Sequence, residues 1–333
     1  VSELALGTMT FGDDWGWGAP PEEARRQYER FREAGGNFVD TANNYTNGSA
    51  EKIVGALVAS ERGAIVLASK YTIAWRPGDP NAAGNHRKNM VQSVEASLKR
   101  LGTDYLDLLW LHAWDDTVPP AEVMRALDDL VRAGKVLHVG VSDTPAWVVA
   151  HANTLALLRG WSPFVALQIE YSLLQRTVER ELTPMAQAFQ LPVCAWGALG
   201  GGVLTGKYTR GGTPDAKRDT SARRSERNLA IARTVDAVAD KLGTSSTRVA
   251  IAWLRQQPGT VIPIVGARTV AQLDDALGAV TLTLPAEALA ELDAVSAVEL
   301  GFPHQFLQQS YVRKLVGGDT LDRLMLDPQR PRL

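Results

Sequence analysis

Four polar residues in the first third of the chain have types suited to moving a proton: Asp40, Tyr45, Lys70 and His112. Three of them close short apolar runs, Asn37-Phe38-Val39-Asp40, Ala64-Ile65-Val66-Leu67-Ala68-Ser69-Lys70 and Tyr105-Leu106-Asp107-Leu108-Leu109-Trp110-Leu111-His112. Tyr45 follows Asp40 at a distance of five residues, in a segment that reads as a loop. A free phenol has a pKa of about 10, too high for ready exchange near neutrality. An adjacent Lys70 ammonium is expected to lower that value by stabilising the phenolate, with Asp40 holding the lysine charged and oriented. An imidazole at the same place donates a hydrogen bond to a carbonyl oxygen. This chemistry suits reversible carbonyl reduction, in which a hydride reaches carbon and a proton reaches oxygen.

Strands must bring these residues together. Apolar strand-like runs at 4–9, 37–40, 64–70, 105–112, 136–141, 164–170, 191–196 and 261–265 alternate with helix-like segments. The helices are expected at 21–34, 49–60, 86–101, 119–133, 145–158, 177–190 and 269–277, with two more, 228–242 and 246–256, between the last two strands. Eight strand-helix units fit a (β/α)8 TIM barrel, whose site lies at the C-terminal ends of the strands. A doubly wound sheet is the alternative, but no Gly-x-Gly-x-x-Gly follows any strand. A long Gly/Arg/Lys-rich loop, 200–227, and a C-terminal loop from about residue 299 complete the expected fold, read as one domain over 1–333.

Bulk composition narrows the function classes. The chain has 333 residues, 45% hydrophobic and 22% charged, which is ordinary for a globular enzyme. A formal net charge of −2 offers no electrostatic case for nucleic acid or an anionic membrane. The single cysteine, Cys194, excludes an intrachain disulfide and a thiolate metal cluster, and its apolar setting reads as a packed thiol. The five histidines show no metal-ligand spacing. No stretch approaches the ~20 apolar residues that cross a bilayer. The start, Val1-Ser2-Glu3-Leu4, lacks the features of a signal peptide, so a cytoplasmic location is the expectation.

The remaining strand ends are Gly7-Thr8, Ser142-Asp143, Gln168, Trp196, and Gly266 with Arg268. No protein side chain stores a hydride, so the chemistry requires a cofactor. Ser142 and Gln168 are placed to hydrogen-bond a carboxamide, and Trp196 offers a face on which a nicotinamide ring stacks. Arg268, entering a helix after the eighth strand, suggests a site for the 2′-phosphate of NADP. Trp15, Trp17, Trp75 and Trp114 fall in loops expected on the catalytic face. They favour an aromatic, sugar-like or polycyclic carbonyl substrate.

The combined motifs resemble the aldo-keto reductase superfamily. They run through Leu6-Gly7-Thr8-Met9-Thr10-Phe11-Gly12, Gly36 to Tyr45, Ser69-Lys70, Ser97 to Leu108, Gly140-Val141-Ser142, Gln168 to Leu174, Gly202 to Tyr208 and Gly266-Ala267-Arg268. The resemblance implies NADPH as cofactor and Asp40, Tyr45, Lys70 and His112 as a catalytic tetrad with Tyr45 as the acid. It also implies cofactor contacts at Thr8, Met9, Ser142, Asp143, Gln168, Trp196, Leu199, Leu204, Lys207, Gly266, Arg268, Gln272 and Asp275. The long loop and the segment Asn85-His86-Arg87-Lys88-Asn89 are similar to the aryl-alcohol-dehydrogenase-like and potassium-channel β-subunit-like branches, Trp196 is similar to the second, and a redox-sensing NADP(H)-binding subunit is a competing expectation. Asp143 stands where that family usually has asparagine.

Overall fold

A computed structural model describes residues 1–211 and 221–323. Its eight strands are β1 Ala5–Gly7, β2 Phe38–Asp40, β3 Val66–Tyr71, β4 Leu106–Leu111, β5 Val136–Ser142, β6 Phe164–Glu170, β7 Val193–Trp196 and β8 Val261–Val265. All pair in parallel in sequence order, and β1 pairs with β8 to close a barrel. Around it run helices α1 Pro21–Glu33, α2 Ser49–Val58, α3 Arg87–Leu101, α4 Pro120–Arg132, α5 Ala146–Arg159, α6 Leu182–Ala188, α7 Glu226–Leu242, α8 Ser246–Arg255 and α9 Val270–Leu277. Then come α10 Ala286–Ser296, α11 His304–Gln308 and α12 Ser310–Gly317. No described helix is long and apolar enough to cross a membrane.

The two-residue period of a strand sorts its side chains into two cores. Leu6, Val39, Leu67, Leu109, Val139, Leu167, Ala195 and Val265 face outward and join the helices in the main apolar core. Ala5, Phe38, Ala68, Leu108, Trp110, Ala166, Cys194 and Ile262 face inward and fill the barrel. Small and large residues alternate around that interior. Gly140 of β5 shows why: a Cβ there would come within 2.4 Å of the Trp110 ring. One step further along the same inward faces stand Asp40, Lys70, His112, Ser142, Gln168 and Trp196. Stacking polar residues directly above a dry apolar plug places them at the C-terminal mouth.

The expected strands and helices are present, with local differences. Within 177–190 a short 3-10 turn, Thr177–Glu179, precedes α6. Pro184 donates no backbone hydrogen bond, so a helix can hold it only in its first turn, which starts α6 at Leu182. In place of the expected C-terminal loop, the described residues form α11 and α12. Tyr311, Val312, Leu315 and Val316 recur at helical spacing within a segment of mixed charge that composition alone does not resolve. Residues 212–220 of the long loop and 324–333 of the tail lie outside the described residues. The rest of that loop holds 3-10 turns Gly200–Thr205 and Ser221–Arg223.

Candidate active site

The strands β2 and β3 carry a buried ion pair between Asp40 and Lys70, whose side chains are 3% and 0% exposed. Lys70 Nζ also donates to the Thr41 carbonyl at 2.7 Å, and Gln168 Nε2 donates to the second Asp40 oxygen, Oδ1, at 3.0 Å. The carboxylate is therefore held from both sides. Lys70 Nζ lies 4.6 Å from the centroid of the Tyr45 ring, and the His112 ring meets that phenol edge-on at 6.1 Å. Tyr45 owes its place to the turn that follows it. Thr46 and Asn47 both have positive φ, at 44° and 55°, and Gly48 follows at 92°. A β-branched residue there is a backbone outlier. Thr46 Oγ1 secures it by donating to the Phe11 carbonyl at 2.8 Å and accepting from Ala50 N at 2.9 Å.

Burial sets the protonation states. It acts to lower Lys70, but Asp40 and Tyr45 more than offset it, and the ammonium is held charged above its usual range. Burial pushes Tyr45 above 10; Lys70 opposes that rise, and Asp40 and Asp143 add to it. The expectation that Lys70 would bring Tyr45 below its free value is thus corrected, because desolvation of the phenolate outweighs the ammonium's attraction. Burial, with Lys70 nearby, pushes His112 down to about 3, so the imidazole is neutral near pH 7. Its Nδ1 is buried without a partner among the described residues. The Nε2–H tautomer of a neutral ring therefore offers its donor to the cavity.

Asp40, Tyr45 and His112 line a cavity of about 490 Å³ at the barrel mouth. Thr8, Met9, Asp40, Tyr45, His112, Ser142, Asp143, Gln168, Trp196, Leu199 and Gly266 line it, together with the apolar Trp15 and Ile73. Register places Ser142 beside Gln168, and Glu170 beside Trp196. Ser142 Oγ is buried beside the Asp143 carboxylate, whose ionised form it favours. Trp196 Nε1 donates to Asp143 Oδ1 at 3.1 Å.

Other expected residues lie elsewhere. Lys70 is beneath the cavity floor, and Leu204 is buried in the main core. Lys207 Nζ lies 4.7 Å from the Tyr208 ring centroid. Arg268 and Gln272 sit at the start of α9, where Arg268 N donates to Gln272 Oε1 at 2.9 Å. Asp275 accepts from Ser245 Oγ at 2.7 Å and Arg248 Nε at 3.1 Å, which turns it toward α8. Trp17, which is not among the lining residues, packs on Trp15 with ring centroids 5.8 Å apart. Trp75 donates to Asn89 Oδ1, and Trp114 packs between β4 and helices α4 and α5; neither is among the lining residues.

Lining residues that the sequence reading did not assign to the site include Asn44, Ile73 and Arg223. Arg223 forms an ion pair with Glu170. Glu170 lies two residues beyond Gln168, on the same strand face, so strand periodicity carried its signal. Nothing in the arginine-rich loop distinguishes Arg223 in advance.

The sequence profile of the Aldo/keto reductase family matches residues 3–297. This chain belongs to the aldo-keto reductase family. It is 39% identical over 324 residues to a norsolorinic acid reductase of Emericella nidulans, covering 94% of this chain and 83% of that protein. It is 37% identical over 322 residues to an aryl-alcohol dehydrogenase of Pestalotiopsis microspora, covering 92% and 82%. A putative aryl-alcohol dehydrogenase of Saccharomyces cerevisiae is 34% identical over 348 residues, covering 98% and 89%. The family and these relatives support an oxidoreductase of carbonyl compounds. Aldo-keto reductases generally use a nicotinamide cofactor, and the cavity suits one: the buried Ser142 hydroxyl and the Trp196 ring line it together with Tyr45.

Proposed function

We propose that this chain is an NADPH-dependent reductase of aromatic aldehydes or ketones, with Tyr45 as proton donor. The observation that carries this reading is the buried Asp40–Lys70 pair beneath Tyr45 and beside His112, at the wall of a cavity that also holds Ser142, Gln168 and Trp196. A reduced nicotinamide, when bound, supplies the hydride. Ser142 Oγ and Oε1 of Gln168 would hold its carboxamide, and Trp196 would support its ring. The neutral His112 donates from Nε2 to the substrate carbonyl oxygen and orients it over Tyr45. As hydride reaches the carbonyl carbon, the Tyr45 proton passes to that oxygen. The nascent phenolate forms beside the Lys70 ammonium, which Asp40 keeps charged.

The raised pKa of Tyr45 keeps the phenol protonated near neutrality, the state that carbonyl reduction needs. Arg268, at the N-terminus of α9, is proposed to recognise the 2′-phosphate. Trp15 and Ile73 add apolar and aromatic surface to the cavity lining, which suits an aryl group. The relatives' names, aryl-alcohol dehydrogenase and norsolorinic acid reductase, favour the aromatic class over the sugar-like one. Steady-state NADPH oxidation with matched aromatic, aliphatic and sugar aldehydes tests the reading. Aromatic substrates are expected to give kcat/KM values at least about tenfold above the others. Equal turnover of all classes overturns the substrate assignment, and NADPH binding without turnover of any substrate overturns the catalytic one.

A further inference from the structure

Asp143 is the first residue after β5, with a φ of 41° that asparagine and aspartate tolerate better than most residues. A neutral asparagine would meet the same backbone demand and would also accept the Trp196 indole hydrogen bond. The carboxylate adds a charge, and it adds it at the cavity wall between Ser142 and Trp196. The surrounding charges are already matched. Glu170 is paired with Arg223, Lys70 with Asp40, and His112 is neutral. Among the described residues Asp143 forms no ion pair, and its carboxylate, which accepts from Trp196 Nε1, lines the cavity.

Taking the nicotinamide cofactor proposed above as the occupant, we propose that Asp143 discriminates between its redox forms, favouring the cationic oxidised ring over the neutral reduced one. By linkage, tighter binding of the oxidised form makes the bound reduced cofactor a stronger hydride donor, which biases this site toward carbonyl reduction. The indole N–H of Trp196 holds the carboxylate in its ionised state. Burial pushes Asp143 up to about 6, with Trp196, Lys70 and Ser142 pulling it down and Glu170 pushing it up. The discrimination is therefore present at pH 7.5 and fades as pH falls through about 6.

The test is equilibrium binding of NADP+ and NADPH, followed by quenching of tryptophan fluorescence. Wild type and Asp143→Asn are each measured at pH 7.5 and pH 5. At pH 7.5 the substitution is expected to weaken NADP+ about tenfold relative to NADPH, and at pH 5 the two proteins are expected to give the same ratio. Using the ratio cancels pH effects on the phosphates, which both cofactors share. Trp196→Phe is expected to move the midpoint of the wild-type pH dependence upward. If Asp143→Asn weakens both forms equally, or changes neither, the charge role is overturned while the cofactor reading stands. If wild type binds neither form, both readings fall. Should the variant fail to fold, the wild-type ratio decides alone: no change between pH 7.5 and pH 5 overturns the proposal.

Discussion

Tyr45 can serve as an acid only if the charge it leaves behind is stabilised, and the ion pair beneath it is the local source of that stabilisation. Tyr45→Phe keeps the ring beside Lys70 and His112 but removes the proton. A loss of about 10²-fold or more in kcat is expected, with NADPH affinity nearly unchanged; retention of most activity in single-turnover assays would remove the assignment. The pH profile follows from the raised pKa of the phenol. Reduction needs the protonated form and should stay flat through neutrality, falling only at alkaline pH. Alcohol oxidation needs the phenolate and should rise with pH over the same range. A reduction rate that falls between pH 6 and 8 would contradict this. The ion pair also bears on stability, because removing one partner leaves the other as an uncompensated buried charge. Lys70→Met is expected to destabilise by about 3–5 kcal/mol in urea denaturation. Adding Asp40→Asn should recover part of that loss without recovering activity.

At the level of elements, the site depends on strand ends and on the turns that follow them. Thr46→Val keeps the branched shape but removes the hydroxyl that bonds Phe11 and Ala50. It should cost about 1–3 kcal/mol through the unsatisfied backbone groups and lower kcat by releasing Tyr45; unchanged stability and kcat would show that the turn holds itself. This turn marks a boundary of what the sequence made legible. The strands were readable because apolar runs with polar ends recur eight times, and strand periodicity then put Asp40, Lys70, His112, Ser142 and Gln168 on one face. Loop residues carry no such period. Arg223 reaches the cavity through chain geometry that no local pattern encodes, and the Trp114 side chain packs among residues of β4, α4 and α5 instead. Burial is equally nonlocal, which is why the direction of the Tyr45 shift emerged only with the fold.

For the whole molecule, the consequence of barrel closure is that one mouth collects groups from distant parts of the chain while β1 and β8 become neighbours. Thr10 Oγ1 donates to the Ala267 carbonyl at 2.7 Å, joining the loops after those two strands across 257 positions of sequence. That seam lies beside Gly266 at the cavity and one residue from Arg268. A dinucleotide with its nicotinamide against Trp196 and its adenosine end at α9 would cross this seam, so the two ends report on separate parts of the molecule. Arg268→Ala should then weaken NADPH by about 10–100-fold while leaving NADH binding and the Tyr45-dependent step nearly unchanged. Isothermal titration with both cofactors separates the outcomes. Selective loss of NADPH places the 2′-phosphate at the start of α9. Equal loss of both would mean that Arg268 supports the seam itself, and the preference for NADPH would have to originate elsewhere in the barrel.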